Sequence, residues 1–84
     1  MSEEVHVRSV RDLVLLWGDP PRLAYENLAA DVGGIEWSAV RDWARRGRIP
    51  ADRIDPVVNA AQRRGFPGIT HALVLKLVSE GVAA

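Results

Sequence analysis

Gly34-Ile35-Glu36-Trp37-Ser38-Ala39-Val40-Arg41-Asp42-Trp43-Ala44-Arg45-Arg46-Gly47-Arg48-Ile49-Pro50 contains a helix together with its stop. Read as helical from about Glu36 to Arg46, it sets Val40 and Trp43 three residues apart on one face. Trp37 lies three before Val40 and slightly off that stripe. Trp37, Ser38, Arg41 and Arg45 fall largely on the other side. Gly47 ends such a helix because it accepts positive φ without penalty, and Pro50 prevents it from resuming. The spacing therefore predicts a short helix with an apolar back and a front of arginine, one aromatic and a small hydroxyl.

That front suits a duplex. Arginine attracts phosphate and can bind guanine bidentately, while a serine hydroxyl and an aromatic ring can approach backbone or base edges. From Gly34 to Pro50 the chain follows G-[VI]-x-x-[SA]-A-V-x-x-W-x-x-R-G-x-I-P. The matching positions are Gly34, Ile35, Ser38, Ala39, Val40, Trp43, Arg46, Gly47, Ile49 and Pro50. This pattern resembles Cro-type and lambda-repressor-like helix-turn-helix DNA-binding proteins, common among phage and prophage regulators. With the preceding helix the resemblance covers about half of the chain, and it continues more loosely through Ala51-Asp52-Arg53-Ile54 and Gly68-Ile69-Thr70. It implies a small all-α, lambda-repressor-like domain whose third helix enters the major groove. Such proteins place L-A-x-x-L-G before the recognition segment. Leu28-Ala29-Ala30-Asp31-Val32-Gly33 fits, but Gly34 follows as an extra residue, so the turn between the helices is one residue longer.

Length and charge bound the reading. Eighty-four residues make one domain. A hydrophobic share of 48% supports a compact core, and with no cysteine there is neither a disulfide framework nor a thiolate metal site. No apolar run approaches the roughly 20 residues that span a bilayer, and Met1-Ser2-Glu3-Glu4 is acidic rather than signal-like. These features suit a reducing cytoplasm, and the resemblance implies the nucleoid of a bacterial or phage-infected cell as the setting. The net charge of zero conceals a polarity: residues 1–36 hold seven acids and three bases, residues 37–84 eight bases and four acids. Arg41, Arg45, Arg46, Arg48 and Arg53 lie within thirteen residues. Polyanion binding follows local field rather than net charge, so a neutral but polarised domain remains competent.

Along the chain, residues 1–8 read as a flexible polar lead, with Val5-His6-Val7 the only sheet candidate. The helix-turn-helix domain occupies 9–80. Ser9 offers an N-cap with Asp12 three residues on, and Val10, Leu13, Val14 and Trp17 predict a first helix over about 10–17. Gly18-Asp19-Pro20-Pro21 marks a loop, and proline suits a helix's first turn. A second helix follows from about Pro21 to Asp31, capped by Asp19 and directing Leu23 or Ala24, Leu28 and Val32 inward. Arg48 to Ile54 reads as a short connection with room for one helical turn. Asp55-Pro56 reads as a cap and first position of a fourth helix that runs to Arg64 and stops at Gly65, with Val57, Val58 and Ala61 inside. Phe66-Pro67-Gly68 is a turn. Thr70 caps a fifth helix over about 71–79, which Gly81 ends.

The candidate contacts divide by chemistry. Trp37, Ser38 and Arg41 are the base-reading candidates. Trp37 could equally fold under the neighbouring helix, Arg41 could pair with Asp42 or Glu36, and Ser38 could be plain helix surface. Arg45, Arg46 and Arg48 are phosphate candidates, or an ordinary charged rim. Arg22, with Tyr25 or Asn27, occupies the second-helix start that the resemblance places against phosphate. Glu36 and Asp42 oppose phosphate on this face, and Glu36 suits a helix N-terminus. Arg63 and Arg64 complement a helix dipole. His6 and His71 lack metal-ligand spacing, Gly33-Gly34 lacks the rest of a phosphate loop, and no nucleophile stands in an elbow motif. The expectation is thus a sequence-specific double-stranded DNA-binding regulator, neither an enzyme nor a cofactor protein. A homodimer would form through the C-terminal helix, Leu73 to Val78. The alternative is a protein-interaction module on the same scaffold without DNA.

Overall fold

The computed structural model describes residues 7–66 and 68–83, the last three as backbone only. Five α-helices make up its regular structure: α1 (Val10–Val14), α2 (Pro21–Val32), α3 (Trp37–Arg46), α4 (Ala51–Arg63) and α5 (His71–Ala83). No strand occurs among the described residues, and Val5 and His6 of the sheet candidate lie outside them. The Cα radius of gyration is 11.7 Å, about what a compact chain of this length shows.

α1 starts as its sequence predicts. Ser9 is extended, and its Oγ accepts the Asp12 amide at 3.1 Å. The Asp12 carboxylate reaches back to the Arg8 amide rather than to that of Ser9, which makes an offset version of the capping box. The helix then tightens into a 3-10 turn over Leu15–Trp17, a common way for a short helix to end. Val10, Leu13, Val14 and Trp17 all point inward.

α2 corrects one expectation: Asp19 is not its cap. Pro20 holds the N-cap position without a side-chain bond, and its carbonyl receives the Leu23 and Ala24 amides at 2.9 and 3.3 Å. Pro20 and Pro21 have no N–H to satisfy, so the Asp19 carboxylate has little there to accept and stays exposed. Of the inward candidates, Ala24 and Leu28 are fully buried, Val32 is partly buried, and Leu23 faces solvent.

α4 corrects a larger one. It begins at Ala51, not Pro56, so Pro56 sits inside the helix and Asp55 caps nothing. Asp55 instead pairs with His71 Nδ1 at 2.7 Å, tying α4 to the start of α5. The physical reason is Ile54, which is 4% exposed and shares the buried stripe of Val57, Val58 and Ala61. Those four positions have the i, i+3, i+4, i+7 spacing of one helical face. Burying that face outweighs the backbone bond and steric freedom lost to an interior proline.

The C-terminal half otherwise follows its signals. Gly65 (φ 86°) leads the chain out of α4, and Pro67 of the expected turn lies outside the described residues. Thr70 Oγ1 accepts the Leu73 amide at 3.2 Å and opens α5. Gly81 does not end α5, which runs on to Ala83. A glycine costs a helix interior about 1 kcal/mol without forbidding it.

The core is a single cluster fed by all five helices, with Trp17, Leu13, Leu28 and Ile69 among its largest fully buried side chains. Trp17 meets Phe66 edge-to-face at 5.3 Å. α2 lies against both α3 and α4, while α1 supports α3 and α5. In this arrangement α3 is braced from behind by two helices and carries one outward face.

Candidate nucleic-acid interface

The site begins with the seating of α3. Val40, Trp43 and Ala44 are its buried residues, at 0%, 7% and 7% exposure. The helix starts at Trp37 with Glu36 as its N-cap residue, whose carboxylate makes no capping bond. It ends as the sequence predicts. Gly47 is left-handed (φ 69°, ψ 29°), and the Gly47 and Arg48 amides both close on the Trp43 carbonyl, at 2.9 and 3.1 Å. Ile49, 3% exposed, then pins the chain so that Arg48 remains outside.

With that stripe inward, the helical period sends Ser38, Arg41, Asp42, Arg45 and Arg46 outward or to the flanks. Arg45, Arg46 and Arg48 are exposed and Ser38 is half-buried. Asp42 stands among them at 49% exposure, its carboxylate 3.9 Å from Arg41 Nε. One carboxylate thus offsets part of the positive field. Beside the outward face an open depression of about 350 Å³ is lined by Ala39, Asp42, Trp43, Arg46, Arg48 and Pro50. It sets two arginines, one carboxylate and Trp43 side by side.

Trp37 does not stand free on the front of α3. It is half-buried and turns toward α2, where the Tyr25 ring lies parallel to it at 6.5 Å. The Arg22 guanidinium sits 4.3 Å from the Trp37 ring centre and the Arg41 guanidinium 5.2 Å. Both distances are within cation–π range. Arg41 Nε is buried without a hydrogen-bond partner, which suits a guanidinium lying against an aromatic ring. Arg22 also pairs with Glu26 at 3.1 Å, one helical turn on, in an exposed ion pair. The structure therefore joins three of the candidate residues, Arg22, Trp37 and Arg41, into one cluster. Ser38 lies in the first turn of α3 beside Trp37, while Arg45 and Arg46 lie in its last turn and Arg48 beyond its end. Asn27, the other α2 candidate, is turned inward, donating to the Trp17 carbonyl at 2.8 Å.

The α2–α3 connection is Gly33-Gly34-Ile35-Glu36. Gly33 and Gly34 have φ values of 82° and 73°, a region that L side chains enter only at a cost. The Gly33 amide bonds the Ala29 carbonyl at 2.8 Å.

Two relationships were not visible in the sequence. Arg63 and Arg64 are more than dipole partners: Arg64 forks onto the Asp31 carboxylate, and Arg63 donates to the Asp31 carbonyl at 3.1 Å. Asp31 also accepts the Trp17 indole N–H at 2.8 Å. Arg64, above all, holds the Asp31 carboxyl below its ordinary pKa, the Trp17 bond and the charge of Arg63 add to this, and desolvation opposes it. This clasp ties the C-terminal ends of α2 and α4 together. The other relationship is the Tyr25–Trp37 stack, for which the only local signal was Arg22, Tyr25 and Glu26 sharing one face of α2.

Among the described residues no three His, Asp or Glu side chains gather as a metal ion would require. No described helix is long and apolar enough to cross a membrane. Comparison with known protein families, curated proteins and solved structures finds no match to this chain.

Proposed function

We propose that this domain is a helix-turn-helix, lambda-repressor-like binder of double-stranded DNA used in transcription control, with α3 as its groove helix. One observation carries the reading. α3 spends its apolar residues on the core and presents arginine along its outward side and just past its end. A groove helix has to be seated from behind and cationic in front. In this reading Ser38 and Arg41 meet base edges, while Arg45, Arg46, Arg48 and Arg22 hold phosphate. A duplex offers regularly spaced charge that the polarised but neutral chain can meet locally. One such helix covers few base pairs, so a paired arrangement on a symmetric site raises specificity. Val74 and Leu77 of α5 are buried in the domain, Leu73 and Val78 are partly buried, and Leu75, at 48% exposure, is the most open of the described apolar side chains between Leu73 and Val78 that such pairing would use.

The rival reading, a protein-interaction module, draws on Trp37 as an exposed aromatic anchor. With Tyr25, Arg22 and Arg41 against its ring, that indole has little open face to offer.

The test is an amide NMR titration with a short mixed-sequence duplex at low and then moderate salt. Shifts concentrated on residues 36–48 and fading as salt rises are the expected result. Absence of shifts at low salt overturns the reading, because sequence-independent phosphate attraction appears first.

A further inference from the structure

The Trp37 cluster has a shape that simple helix packing does not require. Two cationic side chains from different helices, Arg22 of α2 and Arg41 of α3, converge on one indole. Like charges repel, so gathering them on one ring is favourable only where something compensates. The electron-rich ring face supplies part of that compensation. Glu26 supplies some more to Arg22 through an exposed contact at 3.1 Å that water screens, and Asp42 to Arg41 across 3.9 Å, too long for a hydrogen bond. An anion arriving from outside would supply the rest.

We propose that Trp37 is a positioning residue rather than a base reader. Its ring holds Arg22, the phosphate contact of α2, and Arg41, the groove contact of α3, in fixed relation to one another. The inference rests on the duplex-binding reading above and deepens it. The residue that joins the two contacts carries no charge of its own. Tyr25, stacked parallel beside Trp37, fixes the ring so that its face stays beneath the arginines. Glu26 holds Arg22 in the free protein and yields it to phosphate on binding, since their pair is open to solvent, with Arg22 64% and Glu26 45% exposed.

The geometry makes an unusual demand on a neutral side chain. Removing one cation from a phosphate lowers the slope of log affinity against log salt by about 0.9. A residue that only packs changes affinity but not that slope. Binding of a short mixed-sequence duplex is therefore measured by fluorescence anisotropy over a range of salt for wild type, Arg22→Ala, Trp37→Ala, Trp37→Leu and Trp37→Phe, with folding checked by far-UV circular dichroism. Arg22→Ala is expected to lower the slope by about 0.9. Trp37→Ala and Trp37→Leu are expected to lower it by the same amount, and adding Arg22→Ala to either should change it no further. Trp37→Phe, which keeps a π face, should retain most of the wild-type slope. Should Trp37→Ala fail to fold, Trp37→Leu fills the space without offering a ring and decides alone. Glu26→Gln is expected to tighten binding at low salt.

A wild-type slope in Trp37→Leu, with duplex binding otherwise intact, overturns the positioning role and leaves the duplex reading standing. So does additivity of Trp37→Leu with Arg22→Ala. Failure of the wild-type protein to bind the duplex at low salt overturns both.

Discussion

Replacing Asp31 tests the clasp that holds the back of the domain together. Asp31→Ala removes the acceptor of the Trp17 indole N–H, and Trp17 is only 2% exposed. A buried donor left without a partner costs about 1–3 kcal/mol. The same change breaks the fork from Arg64, but at 38% and 23% side-chain exposure that pair is screened and adds only about 0.5 kcal/mol. The expected loss is about 2 kcal/mol, or roughly 8–16 °C in the melting midpoint of a domain this size. Asp31→Asn keeps an oxygen for the indole and gives up the charge, so it should lose less than half as much. Urea unfolding followed by far-UV circular dichroism at neutral pH measures both. Equal losses for the two variants would refute the dominance of the indole bond, and a loss below about 0.5 kcal/mol for Asp31→Ala would refute the clasp itself.

Acid supplies an internal check. The Asp31 carboxyl is held below its ordinary value of 3.8, first by the Arg64 hydrogen bond, with the Trp17 bond and the neighbouring charges helping against desolvation. The unfolded chain therefore takes up this proton more readily than the folded one. The stabilisation is whole above the ordinary value and is lost as pH falls through the lowered folded value. The stability difference between wild type and Asp31→Asn should stay flat from about pH 7 to pH 5 and close only below about pH 4.

Three further substitutions test how the helices are joined. Ile54→Ala should cost about 2–4 kcal/mol in urea unfolding, as for other buried aliphatic truncations; a cost under about 0.5 kcal/mol would return α4 to a start at Asp55. Pro56→Ala restores a donor inside α4 and removes a clash with the preceding turn. Set against the greater freedom of the unfolded chain, it should stabilise by about 1–2 kcal/mol in a thermal melt, and a lowered midpoint would contradict the interior placement of this proline. Gly34→Ala meets no atom within 4 Å yet holds φ 73°, so its cost of about 1–2 kcal/mol is backbone strain alone. An unchanged midpoint would mean that the turn relaxes out of the left-handed region.

Where the local signals were strong and uncontested, the sequence sufficed. Ser9, Thr70, Gly47 and Gly65 act at the helix ends where the chain places them, because caps and left-handed stops are settled within a few residues. The apolar stripe of α3 was legible for the same reason, since Val40 and Trp43 share a face in any helix of that register. Two N-capping signals and one stop, Gly81, failed. Asp55-Pro56 has the composition of a helix start, but Ile54 ahead of it belongs to the core, and burial of a whole stripe outweighs one unfavourable proline. Asp19 failed because the prolines after it left few donors to cap.

The candidate site divides along the same line. Which side chains of α3 lie away from its buried stripe follows from the helical period, so Trp37, Ser38, Arg41 and Arg45 could be named from their spacing, although Trp37 turns toward α2. What those side chains touch could not. Trp37 rests on Tyr25 and beneath Arg22 because α2 packs on α3. Asp31 joins Trp17 to Arg64, fourteen and thirty-three residues away, because the 3-10 turn after α1 and the C-terminal ends of α2 and α4 meet in the fold. By itself the sequence determined five helices, most of their ends and the polarity of charge, since these depend on neighbours within a turn or two. Only the tertiary structure decided the start of α4, the partners of Trp37 and the clasp at Asp31, because burial and long-range pairing depend on which distant faces are brought together.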